Sequence, residues 1–245
     1  MNDPYSILHQ IDAPYVLDAA TGRGDFINIL KQNLRSYIQI TGVDASEKSV
    51  AHAQKMFPEN DVEIYQMNLE DLQFDDSSFD LVTLSNSLHH LENVQAVFAE
   101  LLRVLKPGGL LMINEMYKDG EQTEPQQTHI MMHHWLAAID RRFGVFHRET
   151  YTREEIQNLV KGLKLKKLSV SDFYEPVDNP KEARNCEHLK RNCSDTFKRI
   201  ETLEDADELL DEGKELLDRI MRVGCASASR LLITGIKPAP KTAKP

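Results

Sequence analysis

Five short runs in this chain carry side chains able to hold a charged ligand or move a proton, and each follows an apolar stretch. They are Asp18-Ala19-Ala20-Thr21-Gly22-Arg23-Gly24, Gly42-Val43-Asp44-Ala45, Asn68-Leu69, Ser85-Asn86-Ser87-Leu88-His89-His90 and Glu115. Gly22 and Gly24 omit the Cβ that holds a ligand away from the main chain, so amides at a helix start become reachable. Asp44 is a carboxylate suited to ribose hydroxyls, or alternatively a helix cap, although Ser46 serves as well in that role. His89, whose ordinary pKa lies near neutrality, and Glu115 are candidate bases, with Asn86 beside them to orient an acceptor. Soft metal ligands cluster later: His129 and His133 lie four apart on one helical face, and Cys186, His188 and Cys193 follow. Imidazoles and thiols suit zinc or a similar ion, but this spacing matches no zinc signature.

The elements that must place these residues alternate. Tyr15 to Leu17 reads as a buried strand, with a helix from about Asp25 bearing Phe26, Ile29, Leu30 and Leu34 on one face. Tyr37 to Val43 is a second strand, followed by a helix from Glu47 to Phe57. Val62 to Met67 is the third strand, and Phe79-Asp80-Leu81-Val82 opens the fourth. A helix from Asn93 to Leu105 stops at Lys106-Pro107-Gly108-Gly109, and Leu110 to Asn114 is the fifth strand, delivering Glu115 and Met116 to the same edge. Strand and helix in alternation argue for a sheet with helices on its faces, and ligands of such sheets sit at the carboxyl ends of the strands.

A glycine turn after a strand is common to several nucleotide folds, NAD-binding ones included. The full set is more specific. Asp18-x-Ala20-x-Gly22-x-Gly24, Asp44, Asn68-Leu69, the Leu-His-His-Leu end of the fourth strand and Leu-Lys-Pro-Gly-Gly together resemble class I S-adenosylmethionine (SAM) dependent methyltransferases. Within that class they resemble the ubiquinone/menaquinone-methyltransferase-like (methyltransferase type 11) branch. Ala20 stands where that pattern has its first glycine, and Asn68 where an aspartate is usual. The resemblance implies a Rossmann-like α/β three-layer sandwich with a seven-stranded, mostly parallel sheet. It also implies a cofactor cradle of Asp18, Ala20, Thr21, Gly22, Gly24, Asp44, Ala45, Ser49, Asn68, Leu69 and Ser85. Asn68 and the Leu69 amide would face adenine.

Past Glu115 the sequence is its own guide. Residues 118–147 form a cap segment whose helix, Pro125 to Phe143, carries Trp135 and methionines as a candidate apolar ceiling over a substrate. Thr152 to Val160 is a helix with a capping-box start, and Leu163 to Val170 and Ser229 to Ile236 are the last strands. Between those strands, residues 179–223 are a helical insertion with an apolar stripe, either a lid or an arm for a homodimer. The tail from 237 to 245, rich in lysine and proline, is expected to be disordered.

The 245 residues are read as one domain, with a formal net charge of −10 that argues against a nucleic-acid partner. No apolar run approaches the roughly 20 residues that span a bilayer, no secretory leader is evident, and three cysteines suit a reducing cytoplasm. The expected activity is methyl transfer from SAM to a small-molecule acceptor, yielding S-adenosylhomocysteine. A non-catalytic SAM-binding module with a partner-binding insertion is the competing class, and a metal-assisted enzyme using the His/Cys cluster a lesser one. The acceptor atom is not legible in the sequence.

Overall fold

The structure, a computed structural model, describes residues 5–239, side chains of residues 183–185 and 188 excepted. Seven strands form one sheet in the order β3-β2-β1-β4-β5-β7-β6: β1 (Tyr15–Ala19), β2 (Gln39–Asp44), β3 (Val62–Gln66), β4 (Phe79–Ser85), β5 (Leu105–Met116), β6 (Lys166–Phe173) and β7 (Arg230–Ile236). The first five pair in parallel, and β7 runs against both β5 and β6. The sheet is therefore mostly parallel and seven-stranded, as the resemblance implies.

Helices α1 (Asp25–Asn33) and α2 (Glu47–Met56) cover one face, together with a 3₁₀ turn at Ser6–Gln10. Their apolar residues, among them Phe26, Ile27, Leu30, Val50 and Ala53, close on Val16, Ile40 and Leu81 of the strands. Helices α3 (Val94–Val104) and α5 (Arg153–Lys161) cover the other face, burying Val97, Phe98, Leu101 and Ile156 against Leu17, Val82, Leu84 and Ile113. Central strands buried on both sides read as apolar runs, which is why they were visible in the sequence. Successive connections from β1 toward β2 and from β4 toward β5 leave in opposite directions across the sheet. That divergence opens a crevice above the carboxyl ends of β1 and β4.

Three more helices build a cap: α4 (Glu124–Arg142), α6 (Ala183–Ile200) and α7 (Asp207–Val223). Their stripes meet in a core of their own, with Met132, Trp135, Leu189, Cys193, Leu209, Leu216 and Ile220. The Trp135 indole N–H donates to the Leu209 carbonyl at 2.8 Å, and Gly213 leaves the space its ring fills: a Cβ there would lie 2.4 Å from Trp135 Cζ2. Trp135 is thus the centre of the cap core and no ceiling over the cleft. The stripe of the 179–223 insertion is buried on α4 within the same chain.

Two expectations are corrected. The three cysteines were read as suiting a reducing compartment, but Cys186 and Cys225 form a disulfide that closes a 39-residue separation, leaving Cys193 free and buried. The tail is anchored at its start, because Lys237 exchanges backbone bonds with Gly108 and Gly109. Residues 240–245 of that expected tail lie outside the described residues. Among the described residues no helix is long and apolar enough to cross a membrane.

Candidate active site

A cleft of about 870 Å³ lies over the crevice. At the end of β1, three residues in five take left-handed backbone: Ala20 (φ 53°), Gly22 (φ 56°) and Gly24 (φ 92°). Ala20 accepts this conformation at a cost of about 1–2 kcal/mol that a glycine avoids. The turn is pinned from two sides. Thr21 N–H donates to the Val43 carbonyl at 2.9 Å, and Gly22 N–H donates to Asp44 Oδ2 at 2.9 Å. Asp44 Oδ1 also accepts from Ser46 N–H at 2.8 Å, while the Ser46 hydroxyl oxygen caps α2 by accepting from Ser49 N–H. The helix cap is Ser46, and the Asp44 carboxylate borders the cleft.

Ala20, Thr21, Gly22, Asp44, Ala45, Ser49, Asn68, Leu69 and Ser85 all line the cleft. Asp18 and Gly24 stand behind it. Asp18 is 1% exposed, accepting from the Thr21 hydroxyl at 2.6 Å and the Thr83 hydroxyl at 2.7 Å. Burial pushes its carboxyl up to about 6 against the pull of those two bonds, with Asp44 adding to the rise. It reaches a ligand only through Thr21. Gly24 packs under α2, where a Cβ would lie 2.4 Å from Phe57 Cε2. At the end of β3, Asn68 Oδ1 accepts from Glu70 N–H at 3.0 Å, so one lone pair of the amide oxygen holds its own loop and the other is left for a ligand.

The candidate bases separate. Asn86, at φ 47°, is exposed on the cleft wall, but His89 and Glu115 are both fully buried behind it. Glu115 Oε2 accepts from the amides of Ser87 and Leu88 at 2.9 Å each, and Oε1 faces His89 Nδ1 at 2.8 Å. Glu115 is a brace for the 85–91 turn, so its expected contact with an acceptor is corrected. The imidazole that borders the cleft is that of His90. Burial, with His89 and His147 adjacent, pushes its pKa down to about 3, so the ring is neutral.

Three cap-side residues, Asp140, Val145 and Phe146, close the cleft opposite the strand ends. Asp140 Oδ2 meets His147 Nδ1 at 2.8 Å, and Asp140 Oδ1 accepts from Arg199 at 2.8 Å. Burial opposes its ionisation, but these two partners outweigh it and hold the carboxyl below its usual range. His90, His147 and Asp140 were not singled out by the sequence. His90 is one residue from the chosen histidine, and the link from 90 to 147 is visible only in the fold.

The expected His/Cys cluster does not assemble. Cys186 is in the disulfide and Cys193 in the cap core, while His129 Nδ1 accepts from the Ala228 amide. The His188 side chain lies outside the described ones. His133 turns to the sheet edge, its ring edge-on to His89 at 5.3 Å between centroids.

Residues 17–113 match the methyltransferase-domain family. A demethylmenaquinone methyltransferase of Porphyromonas gingivalis is 39% identical over 109 residues, 42% of this chain and 44% of that protein. The chain thus aligns with less than half the length of that curated relative. Among solved structures, the YcgJ protein of Bacillus subtilis superposes with a TM-score of 0.60 at 20% identity, covering 92% of both chains. A Haemonchus contortus phosphoethanolamine N-methyltransferase 2 in complex with S-adenosyl-L-methionine gives 0.56 at 18%, covering 92% of this chain and 49% of that one.

Proposed function

We propose that this chain, a class I methyltransferase fold with its methyltransferase domain at residues 17–113, transfers a methyl group from SAM to a small-molecule acceptor in the cleft. One observation carries the reading: the turn after β1, the Asp44 carboxylate and the Asn68-Leu69 pair converge on one cleft. Space is open where a Cβ on Gly22 would stand, so a ligand can lie against the main chain there. The Asp44 oxygens keep lone pairs for ribose hydroxyls, and Asn68 keeps one for an adenine amino group. The cofactor supplies an electrophilic methyl on a sulfonium, and its leaving group is a neutral thioether that needs no acid.

This chain's task is then to align the acceptor and exclude water. Asn86 and the neutral His90 ring offer hydrogen-bond partners on the strand side, and Val145 and Phe146 supply an apolar wall from the cap. A volume of about 870 Å³ lies within the 300–1,000 Å³ common for small-molecule sites. Methyl transfer is carried over from the relatives and the quinone is not, because the cleft wall here includes Asn86, His90, Glu92 and Asp140.

Calorimetry with SAM and S-adenosylhomocysteine tests the first half, with binding of both expected. Incubation with methyl-labelled SAM and a fractionated metabolite pool tests the second, with label expected in a small molecule. Absence of heat with either ligand refutes the reading. Binding without label transfer to any fraction favours the non-catalytic module.

A further inference from the structure

Two carboxylate–imidazole pairs flank the seam between sheet and cap, their rings 5.5 Å apart between centroids. Glu115, at the end of β5, meets His89 Nδ1 at 2.8 Å, and Asp140, in the last turn of α4, meets His147 Nδ1 at 2.8 Å. A carboxylate accepting from Nδ1–H fixes the tautomer and leaves the Nε2 lone pair as the ring's remaining function. Both Nε2 atoms are buried and have no hydrogen-bond partner among the described residues. His89 is 0% and His147 3% exposed, so solvent does not satisfy them. His90 lies between the two rings, at 4.4 and 4.0 Å between centroids. One ring nitrogen from each of the three lies within 4.8 Å of the others.

Lone pairs on neighbouring rings cannot satisfy each other, and two unpaired buried acceptors this close call for a proton donor, a water or a cation between them. Imidazoles backed by carboxylates are the arrangement that holds zinc and its neighbours, with the carboxylate orienting the ring and raising its basicity. Three nitrogens bound at 2.0–2.1 Å in a tetrahedral site stand roughly 3.3 Å apart, so closing this group takes about 1.5 Å at most. His90, of the three, borders the open cleft and is the ring with space beside it.

We propose that His89, His90 and His147 form a site for one divalent transition-metal ion, of the zinc or cobalt type, with Glu115 and Asp140 as positioning residues. Three protein nitrogens leave a fourth position, and it opens on the cleft, because His90 and Asp140 both line it. Resting on the methyltransferase reading above, the proposal narrows the acceptor to a hydroxyl or thiol compound that binds the ion through oxygen or sulfur. On coordination the O–H or S–H proton passes to water. The heteroatom's electron pair then bonds the methyl carbon while the carbon–sulfur bond breaks and its pair returns to sulfur.

The test uses the full chain without a polyhistidine tag, stripped with a chelator and titrated with Co²⁺ alone, then with Zn²⁺. Expected are one equivalent of Co²⁺ with the intense visible bands of four- or five-coordination, and displacement by Zn²⁺. His147→Ala should abolish those bands, and His90→Ala, on the cleft wall, should weaken Co²⁺ at least tenfold. Asp140→Asn should cost 10- to 100-fold in affinity. Less than a tenth of an equivalent bound, pale octahedral bands, or binding unchanged in both histidine variants overturns the site. Calorimetry with SAM on the stripped protein separates the two readings: heat with SAM but no metal uptake sinks the site alone, and no heat with SAM sinks the methyltransferase reading.

Discussion

Asp18 gives the sharpest test of how the turn after β1 is built. Its carboxyl is 1% exposed and raised from 3.8 to about 6, chiefly by burial. A folded-state value above the unfolded one means that the fold favours the protonated form. The group's contribution to stability is therefore complete below pH 3.8 and is lost as pH rises through 6. A gap of about two units corresponds to about 3 kcal/mol, of which about 2–3 kcal/mol is lost between pH 4 and 7.5. Asp18→Asn removes the charge and keeps one acceptor for Thr21 or Thr83. Carboxyls held below their ordinary values, such as Asp61 and Asp172, act in the opposite sense, but they are common to both proteins and cancel in the difference. Urea denaturation of both proteins from pH 4 to 7.5 should show the variant gaining about 2–3 kcal/mol relative to the parent across that range. At pH 7 the net gain should be at most about 1.5 kcal/mol after loss of one bond to a charged acceptor, or up to roughly 6 °C in Tm. SAM affinity should fall in the same variant, since the buried charge beneath Thr21 favours a cationic ligand. Parallel stability curves for the two proteins at every pH would refute the burial argument.

Thiol titration of denatured, unreduced protein should count one cysteine, Cys193, and three after reduction. Reduction should destabilise the cap by up to about 4 kcal/mol on the chain-entropy estimate for its 39-residue separation. Gly24→Ala places a Cβ against Phe57 in left-handed backbone and should cost about 2–4 kcal/mol in chemical denaturation, with Gly22→Ala costing less because its surroundings are open. Glu115→Ala strands His89 and the Ser87 and Leu88 amides, which should cost at least about 3 kcal/mol in the same assay. Asp44→Ala frees the Gly22 and Ser46 amides and should weaken SAM about 10- to 100-fold by calorimetry.

The side of the cleft built by β1 to β3 was legible because its parts are local. A strand, its glycine turn and the next helix lie within 20 residues, and Asp44 or Asn68 is placed by the end of its own strand. The side between β4, β5 and the cap was not. His89 and Glu115 drew attention as polar residues at strand ends, yet polarity at a strand end does not say whether a side chain faces the cleft or the interior. Glu115 turns inward because two backbone amides and an imidazole wait there, and that places His90 on the cleft wall. The thiols were misread for a related reason. Cys186 and Cys225 are separated by two helices whose packing alone brings them together, and periodicity reveals an apolar stripe without revealing its partner.

The two sides of the cleft therefore rest on separate foundations. The family match stops at residue 113, two residues before Glu115, and every cap residue of the cleft lies beyond it. Asp140 is the hinge of this division. It joins His147 on one side to Arg199 of α6 on the other, so α6, besides packing on α4, is tied by this carboxylate to the cap side of the cleft. A change in the packing of α6 would shift Asp140, and with it the His147 ring, while leaving the turn after β1 and the Asp44 carboxylate where they are. Arg199→Met tests this coupling: acceptor turnover should fall while SAM affinity holds within about twofold. Equal losses in both would mean that the cap and the cofactor turn act as one unit.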